Sequence, residues 1–216
     1  MAHLSPLLKQ ATPVVAARGE GALLFDEQDR RYLDFTAGIG VTSTGHAHPD
    51  DVCVTPGSHT AVDLATHIFI DPGDVIVAEA PSYVGALSVF RAYQADVVHV
   101  TLDGEGLVPE ELDATLTRLA TEGRRVKFLY TVPNFHNPAG VTMSLERRPR
   151  IVEICKRHHV LILEDNPYGL LGFDGDPEPA LKSFDEDAVI YLGSFSKTFA
   201  PGYRVGWALC PHAVRE

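Results

Sequence analysis

The chain has 216 residues, 18 Lys and Arg against 29 Asp and Glu, a formal net charge of −11 and 45% hydrophobic residues. That length holds one large domain or two small ones with a substantial core, and the composition excludes fibrous and disordered classes. A pI near 5.3 with scattered basic residues argues against a nucleic-acid partner. No apolar run approaches the ~20 residues that a membrane helix needs.

Taken in chain order, residues 22–25 and 31–35 flank the polar stretch Asp26-Glu27-Gln28-Asp29-Arg30 and predict a β-hairpin. The segment 60–70 places Ala61, Leu64, Ala65 and Ile68 on one stripe, and Thr60 with Asp63 suggests a capping box. From Val75 onward, β-branched runs alternate with amphipathic segments. The strands expected are 75–78, 97–101, 126–131, 160–164, 189–192 and 205–209, and helices are expected at 109–120 and 145–158. Several of these strands are apolar throughout rather than alternating, as strands covered on both faces are. The fold class expected is therefore α/β, a mostly parallel sheet sandwiched by helices.

Two loops, 132–143 and 166–187, are longer than compact α/β units need. Each begins where a parallel strand ends, at the sheet edge where open α/β proteins bind ligands.

Cys53, Cys155 and Cys210 lie far apart without a CxxC pair, which suggests neither a disulfide framework nor a thiolate metal site. They read as core thiols of a reducing compartment. His46 and His48 precede Pro49, and His158 and His159 are adjacent, but neither pair has helical ligand spacing with a third ligand, so no metal is expected. No GxGxxG follows a strand and no GxxxxGK[ST] occurs, which weakens a nucleotide-binding reading. The opening Met1-Ala2-His3-Leu4-Ser5-Pro6 lacks the basic-then-apolar layout of a signal peptide. A cytoplasmic protein without a membrane partner is expected.

The most informative segment is Ser194-Phe195-Ser196-Lys197-Thr198-Phe199-Ala200-Pro201-Gly202-Tyr203-Arg204, which follows an apolar strand directly. Upstream, in order, stand Thr55-Pro56-Gly57-Ser58, Glu79-Ala80-Pro81-Ser82-Tyr83, Pro133-Asn134-Phe135-His136-Asn137-Pro138-Ala139-Gly140 and Leu163-Glu164-Asp165-Asn166-Pro167-Tyr168. Together these five motifs resemble the fold type I, class I aminotransferases that depend on pyridoxal 5′-phosphate (PLP), most closely the 2-aminoadipate and kynurenine aminotransferase branch. The resemblance runs over about residues 52–209.

It implies amino-group transfer between an amino acid and a 2-oxo acid. Lys197 matches the amine that holds the PLP aldehyde as a Schiff base and then serves as the base for the substrate's α-proton, a role that requires a neutral amine. Asp165 matches the carboxylate that stabilises the protonated pyridine nitrogen. Asn137 and Tyr168 match the groups that hydrogen-bond the phenolic oxygen, and Tyr83 the aromatic that stacks on the ring. Ser194 and Arg204, with the backbone N–H groups of Gly57, Ser58 and His59, match the phosphate cradle, and Ser196 belongs to the same set.

The first fifty residues follow another pattern. Arg18-Gly19-Glu20-Gly21, Tyr32-Leu33-Asp34-Phe35, Gly38-Ile39-Gly40-Val41 and Gly45-His46-Ala47-His48-Pro49 resemble the opening of class III aminotransferases, the ornithine and acetylornithine type. The domains expected are a class III-like segment, 1–49, and a class I-like PLP-binding large domain, 50–216. By this resemblance, the stretch that either family places between them is missing. So is the C-terminal small domain with its carboxylate-binding arginine, and the complete protein is a homodimer. Two alternatives stay open beside the transaminase: an inactive PLP-binding or interaction remnant, and a PLP lyase or decarboxylase.

Overall fold

The computed structural model of the chain describes residues 16–20, 23–26, 28–33, 52–172, 175 and 177–215. The chain divides into two units, Met1–Pro49 and Asp50–Glu216.

In the first unit, β1 (Ala16–Glu20), β2 (Leu23–Asp26) and β3 (Arg31–Leu33) form an antiparallel sheet in that order. The expected hairpin is the β2–β3 pair, in the register Leu23↔Leu33 and Phe25↔Arg31. Its turn holds Asp29 at φ 59, a conformation that Asp tolerates better than most residues. Residues 22, 34 and 35 of that expectation, and His46 and His48, lie outside the described residues.

The second unit runs through β4 (Val52–Thr55), α1 (Ser58–Phe69), β5 (Val75–Ala80), α2 (Val84–Ala92), β6 (Asp96–Asp103), β7 (Gly106–Leu107), α3 (Pro109–Thr121), β8 (Val126–Thr131), α4 (Arg147–Arg157), β9 (Leu161–Asp165), β10 (Val189–Ser194), β11 (Gly206–Leu209) and α5 (His212–Arg215). Eight strands form one sheet in the order β4-β11-β10-β9-β8-β5-β6-β7. The pairs from β10 through β9, β8 and β5 to β6 are parallel. The outer pairs β10–β11, β11–β4 and β6–β7 are antiparallel.

The apolar runs of the central strands follow from this layering. Successive side chains of a strand point to opposite faces, and both faces here carry helices. Ile76, Ala78, Phe128, Tyr130, Leu163 and Leu192 pack with Ala61, Val62 and Ala65 of α1 and Ala86 and Phe90 of α2. Val75, Val77, Leu129, Ile162 and Val189 pack with Leu112, Leu116 and Leu119 of α3 and Ile151 and Cys155 of α4. Helix α3 opens with Pro109, Glu110 and Glu111, a first turn that suits both the proline ring and the helix dipole.

Four expectations are corrected. Helix α1 begins at Ser58 with Gly57 as its N-cap and no side-chain cap; the Thr60 hydroxyl donates instead to the Pro56 carbonyl at 3.2 Å, so there is no capping box. The buried arc of α1 is Ala61, Val62, Ala65 and Thr66, leaving Leu64 and Ile68 exposed. The face toward the sheet is thus rotated toward Val62, away from the stripe read from spacing. Cys53 is exposed because β4 is an edge strand, and Cys210 is half-buried; only Cys155 is a core thiol. Helix α2 was not anticipated, although Ala86, Val89 and Phe90 carry the i, i+3, i+4 signal.

Candidate functional site

The chain passes from β5 to β6 on one side and returns to place β8 on the other. The loops leaving β5 and β8 therefore diverge and open a crevice at the carboxyl ends of the strands, the switch point where such sheets hold ligands. A pocket there is lined by Ser58, His59, Tyr83, Val132, Asn137, Asp165, Pro167, Tyr168, Ser194, Ser196, Lys197 and Arg204. Residues separated by up to 146 positions meet because five element ends converge. These are the N-terminus of α1, the start of α2, and the ends of β8, β9 and β10.

One wall is built for an anion. The first N–H groups of the twelve-residue helix α1 have no intrahelical acceptor and lie at its positive end. Beside them, Arg204 donates to Ser196 Oγ and to the Pro56 carbonyl, both at 3.3 Å. Ser194 Oγ donates to Ser196 Oγ at 2.9 Å and accepts the Ser196 N–H at 3.1 Å.

Gly57 contributes differently from expectation. Its N–H donates to the Thr55 carbonyl at 2.7 Å, closing the turn after β4, so this group does not face the pocket. Its backbone has φ 89, and a Cβ there would lie 2.4 Å from Arg204 Nη2. Glycine lets the guanidinium rest against the turn. Gly206 does the same for the strand behind it, where a Cβ would meet the Gly57 carbonyl carbon and the Ser58 nitrogen at 2.5 Å.

The same pocket holds an acid. Asp165, the last residue of β9, is 4% exposed and accepts a 2.8 Å hydrogen bond from the Tyr130 hydroxyl on Oδ2. Oδ1 is buried without a partner. Burial pushes the carboxyl up to about 6, with the Tyr130 hydrogen bond and the nearby His59 opposing the rise. A buried acceptor without a donor is costly, and it marks the place where a cationic N–H would be stabilised. Lys197 follows β10 in an exposed turn, its Nζ 5.9 Å from the centroid of the Tyr168 ring. Tyr83 precedes α2 and meets the His59 ring edge-on, centroids 6.5 Å apart. Asn137 is half-buried in the loop after β8.

Apart from Gly57, every residue expected at the site lines this one pocket. The sequence reading omitted Val132 and Pro167, which follow the strand ends directly, and Tyr130, which holds Asp165. It also omitted a buried polar chain behind the two long loops. The Arg148 guanidinium, fully buried, donates to Asn134 Oδ1 at 2.7 Å and to the Met143 and Pro179 carbonyls at 3.0 and 2.9 Å. Asn134 donates to Asn166 at 3.0 Å, and Asn166 to Glu164 at 3.1 Å. Burial drives the Glu164 carboxyl up to about 7 against the hydrogen bonds it accepts, and pushes the Arg148 guanidinium down. Among the described residues, no group of three or more His, Cys, Asp or Glu could hold a metal ion.

Comparison with known proteins follows the same lines. The profile described as "Aminotransferase class I and II" matches residues 39–216, and that of "Aminotransferase class-III" matches residues 7–69. The two overlap across the change of pattern near residue 50. The chain is 48% identical over 168 residues to an aromatic-amino-acid aminotransferase of Thermococcus litoralis, covering 77% of this chain and 40% of that protein. It is 34% identical over 173 residues to the mitochondrial kynurenine/alpha-aminoadipate aminotransferase of Bos taurus, covering 77% and 41%.

Among solved structures, the multiple substrate aminotransferase of Thermococcus profundus superposes with TM-score 0.73 at 44% identity over 76% of this chain and 41% of that one. The kynurenine aminotransferase of Pyrococcus horikoshii, solved in complex with PMP, gives TM-score 0.75 at 41% identity over 83% and 44%. The chain thus spans about 40% of the length of the curated relatives it matches. With its sheet order, its ordered motifs and these matches in agreement, the chain belongs to the class I and II aminotransferase family.

Proposed function

We propose that residues 50–216 form the PLP-binding large domain of an aminotransferase that moves an amino group between an amino acid and a 2-oxo acid. Residues 1–49 are a class III-like segment joined to it. The observation that carries this reading is the unpartnered, buried Asp165 Oδ1, in one pocket with Lys197, the α1 N-terminus and Arg204. PLP fits these residues: it has a phosphate for the cationic wall and a protonated ring nitrogen for the unsatisfied carboxylate. When bound, it supplies an aldehyde and an electron-withdrawing ring.

The chain's own groups would share the remaining work. Arg204, Ser194, Ser196 and the N–H groups of Ser58 and His59 bind the phosphate. Asp165, oriented by Tyr130, holds the positive charge at its Oδ1. Asn137 and Tyr168 donate hydrogen bonds to the phenolic oxygen, and Tyr83 covers one ring face. Lys197 Nζ would supply the amine that holds the group, and the base that takes up and returns the substrate's proton. The amino acid and the 2-oxo acid are the partners, and the complete protein works as a cytoplasmic homodimer. Among the described residues, no helix is long and apolar enough to cross a membrane.

The test is chemical. Protein incubated with PLP and reduced with borohydride should carry a phosphopyridoxyl group on Lys197 in peptide mapping, and Lys197→Ala should carry none. Unlabelled Lys197 in the wild-type protein would end this reading.

A further inference from the structure

A third buried acid lies next to the pocket, with no role so far. Glu79, near the end of β5, is 1% exposed. Its Oε1 accepts the Thr131 hydroxyl at 2.8 Å, and its Oε2 accepts the Val132 N–H at 2.9 Å. The His136 Nε2 lies 3.0 Å from the same Oε2, in an approach too bent for a full hydrogen bond, and has no other partner. The side chains of both residues are about 1% exposed.

The other imidazole nitrogen, Nδ1, accepts the Ala139 N–H at 3.3 Å. An accepting Nδ1 carries no proton, so the hydrogen sits on Nε2, facing the carboxylate. The backbone of His136 is held as well: its N–H donates to the Val141 carbonyl at 2.8 Å, and its carbonyl accepts the Gly140 N–H at 2.5 Å. His136 thus has its ring between the Ala139 N–H and the Glu79 carboxylate, and the next residue along the chain is Asn137, which lines the pocket.

We propose that Glu79 and His136 are a pair of positioning residues that hold the loop after β8 so that the Asn137 side chain is presented to the pocket. Neither touches the bound molecule; both act through Asn137. The geometry favours this over plain packing because the carboxylate gathers two hydrogen-bond donors, from Thr131 and Val132, and has the His136 ring nitrogen 3.0 Å away, all on the segment leading to Asn137. A residue serving only as core would need no carboxylate, and burying one without such donors is costly.

This inference rests on the PLP reading, and the experiment separates the two. PLP affinity is measured by equilibrium titration for wild type, His136→Leu, Asn137→Ala and the double variant, with hydrogen exchange of residues 132–143 followed in the apo proteins. His136→Leu should weaken PLP about tenfold, the worth of one hydrogen bond, and should speed exchange in the loop. In the Asn137→Ala background it should cost nothing more, because its effect passes through that side chain. His136→Gln, whose amide both donates and accepts, should restore affinity. Glu79→Gln, with one acceptor oxygen in place of two, should behave like His136→Leu and serves as the second probe if that variant does not fold. Equal losses from His136→Leu in both backgrounds, or unchanged affinity, would overturn the proposal. Borohydride labelling of Lys197 in the variants reports independently on the PLP reading.

Discussion

Asp165→Asn tests the central electrostatic claim in the apo protein. Burial raises the Asp165 carboxyl from the ordinary 3.8 to about 6. The folded state therefore keeps its proton over a range in which the unfolded chain has lost it. Stability from this group is fully present below pH 3.8 and is lost as pH rises through about 6. Two pH units at 1.36 kcal/mol each come to about 3 kcal/mol. Asparagine has no such dependence. Its amide still accepts from Tyr130, and whatever its NH2 costs does not vary with pH.

The stability of wild type minus that of Asp165→Asn should therefore fall by about 2–3 kcal/mol between pH 4 and pH 8. Urea unfolding at several pH values across that span reads the difference directly. With PLP bound, a cation beside Oδ1 lowers the carboxyl's pKa, and the difference should shrink. Parallel stability curves for the two apo proteins would refute the claim that Asp165 carries a buried, uncompensated charge.

Other perturbations give distinct outcomes. Tyr130→Phe removes the donor to Asp165 Oδ2 and should cost about 1–3 kcal/mol in denaturant unfolding at pH 8, with weaker PLP binding in the same preparation. Gly57→Ala forces a Cβ into the Arg204 guanidinium at φ 89; it should cost about 1–3 kcal/mol and reduce affinity for inorganic phosphate in a competition titration against PLP. Arg148→Met strands the Asn134 and Met143 acceptors and leaves Glu164 without its nearby cation. A loss of about 3–5 kcal/mol is expected, visible as a lower urea midpoint, with borohydride labelling of Lys197 retained in the protein that stays folded.

Much of the fold was legible in the sequence because its signals are local. The run 126–131 reads as a doubly covered strand from its own composition, and β8 has those bounds. Lys197, Asp165 and Asn137 stand at or beside strand ends, and Asn137 in a loop whose length marks it as ligand-binding, so the site could be read from one dimension. Helix α1 shows where local reading fails. Spacing gives a stripe of apolar positions, but which arc of it is buried depends on the angle at which the sheet receives the helix. Leu64 and Ile68 therefore stay outside.

The sequence by itself determined most of the strands and helices, the family, and most of the groups that face the pocket, since each depends on near neighbours along the chain. Only the tertiary structure decided which buried groups hold them. Tyr130 reaches Asp165, Glu79 meets His136, and Arg148 ties Asn134 to the Met143 and Pro179 backbone. These partners lie on different elements, 5 to 57 positions apart. They become neighbours only through the parallel register of β5, β8 and β9 and the packing of α4 behind them. Hydrogen bonds depend on distance and angle in space, and no periodicity along the chain encodes either one.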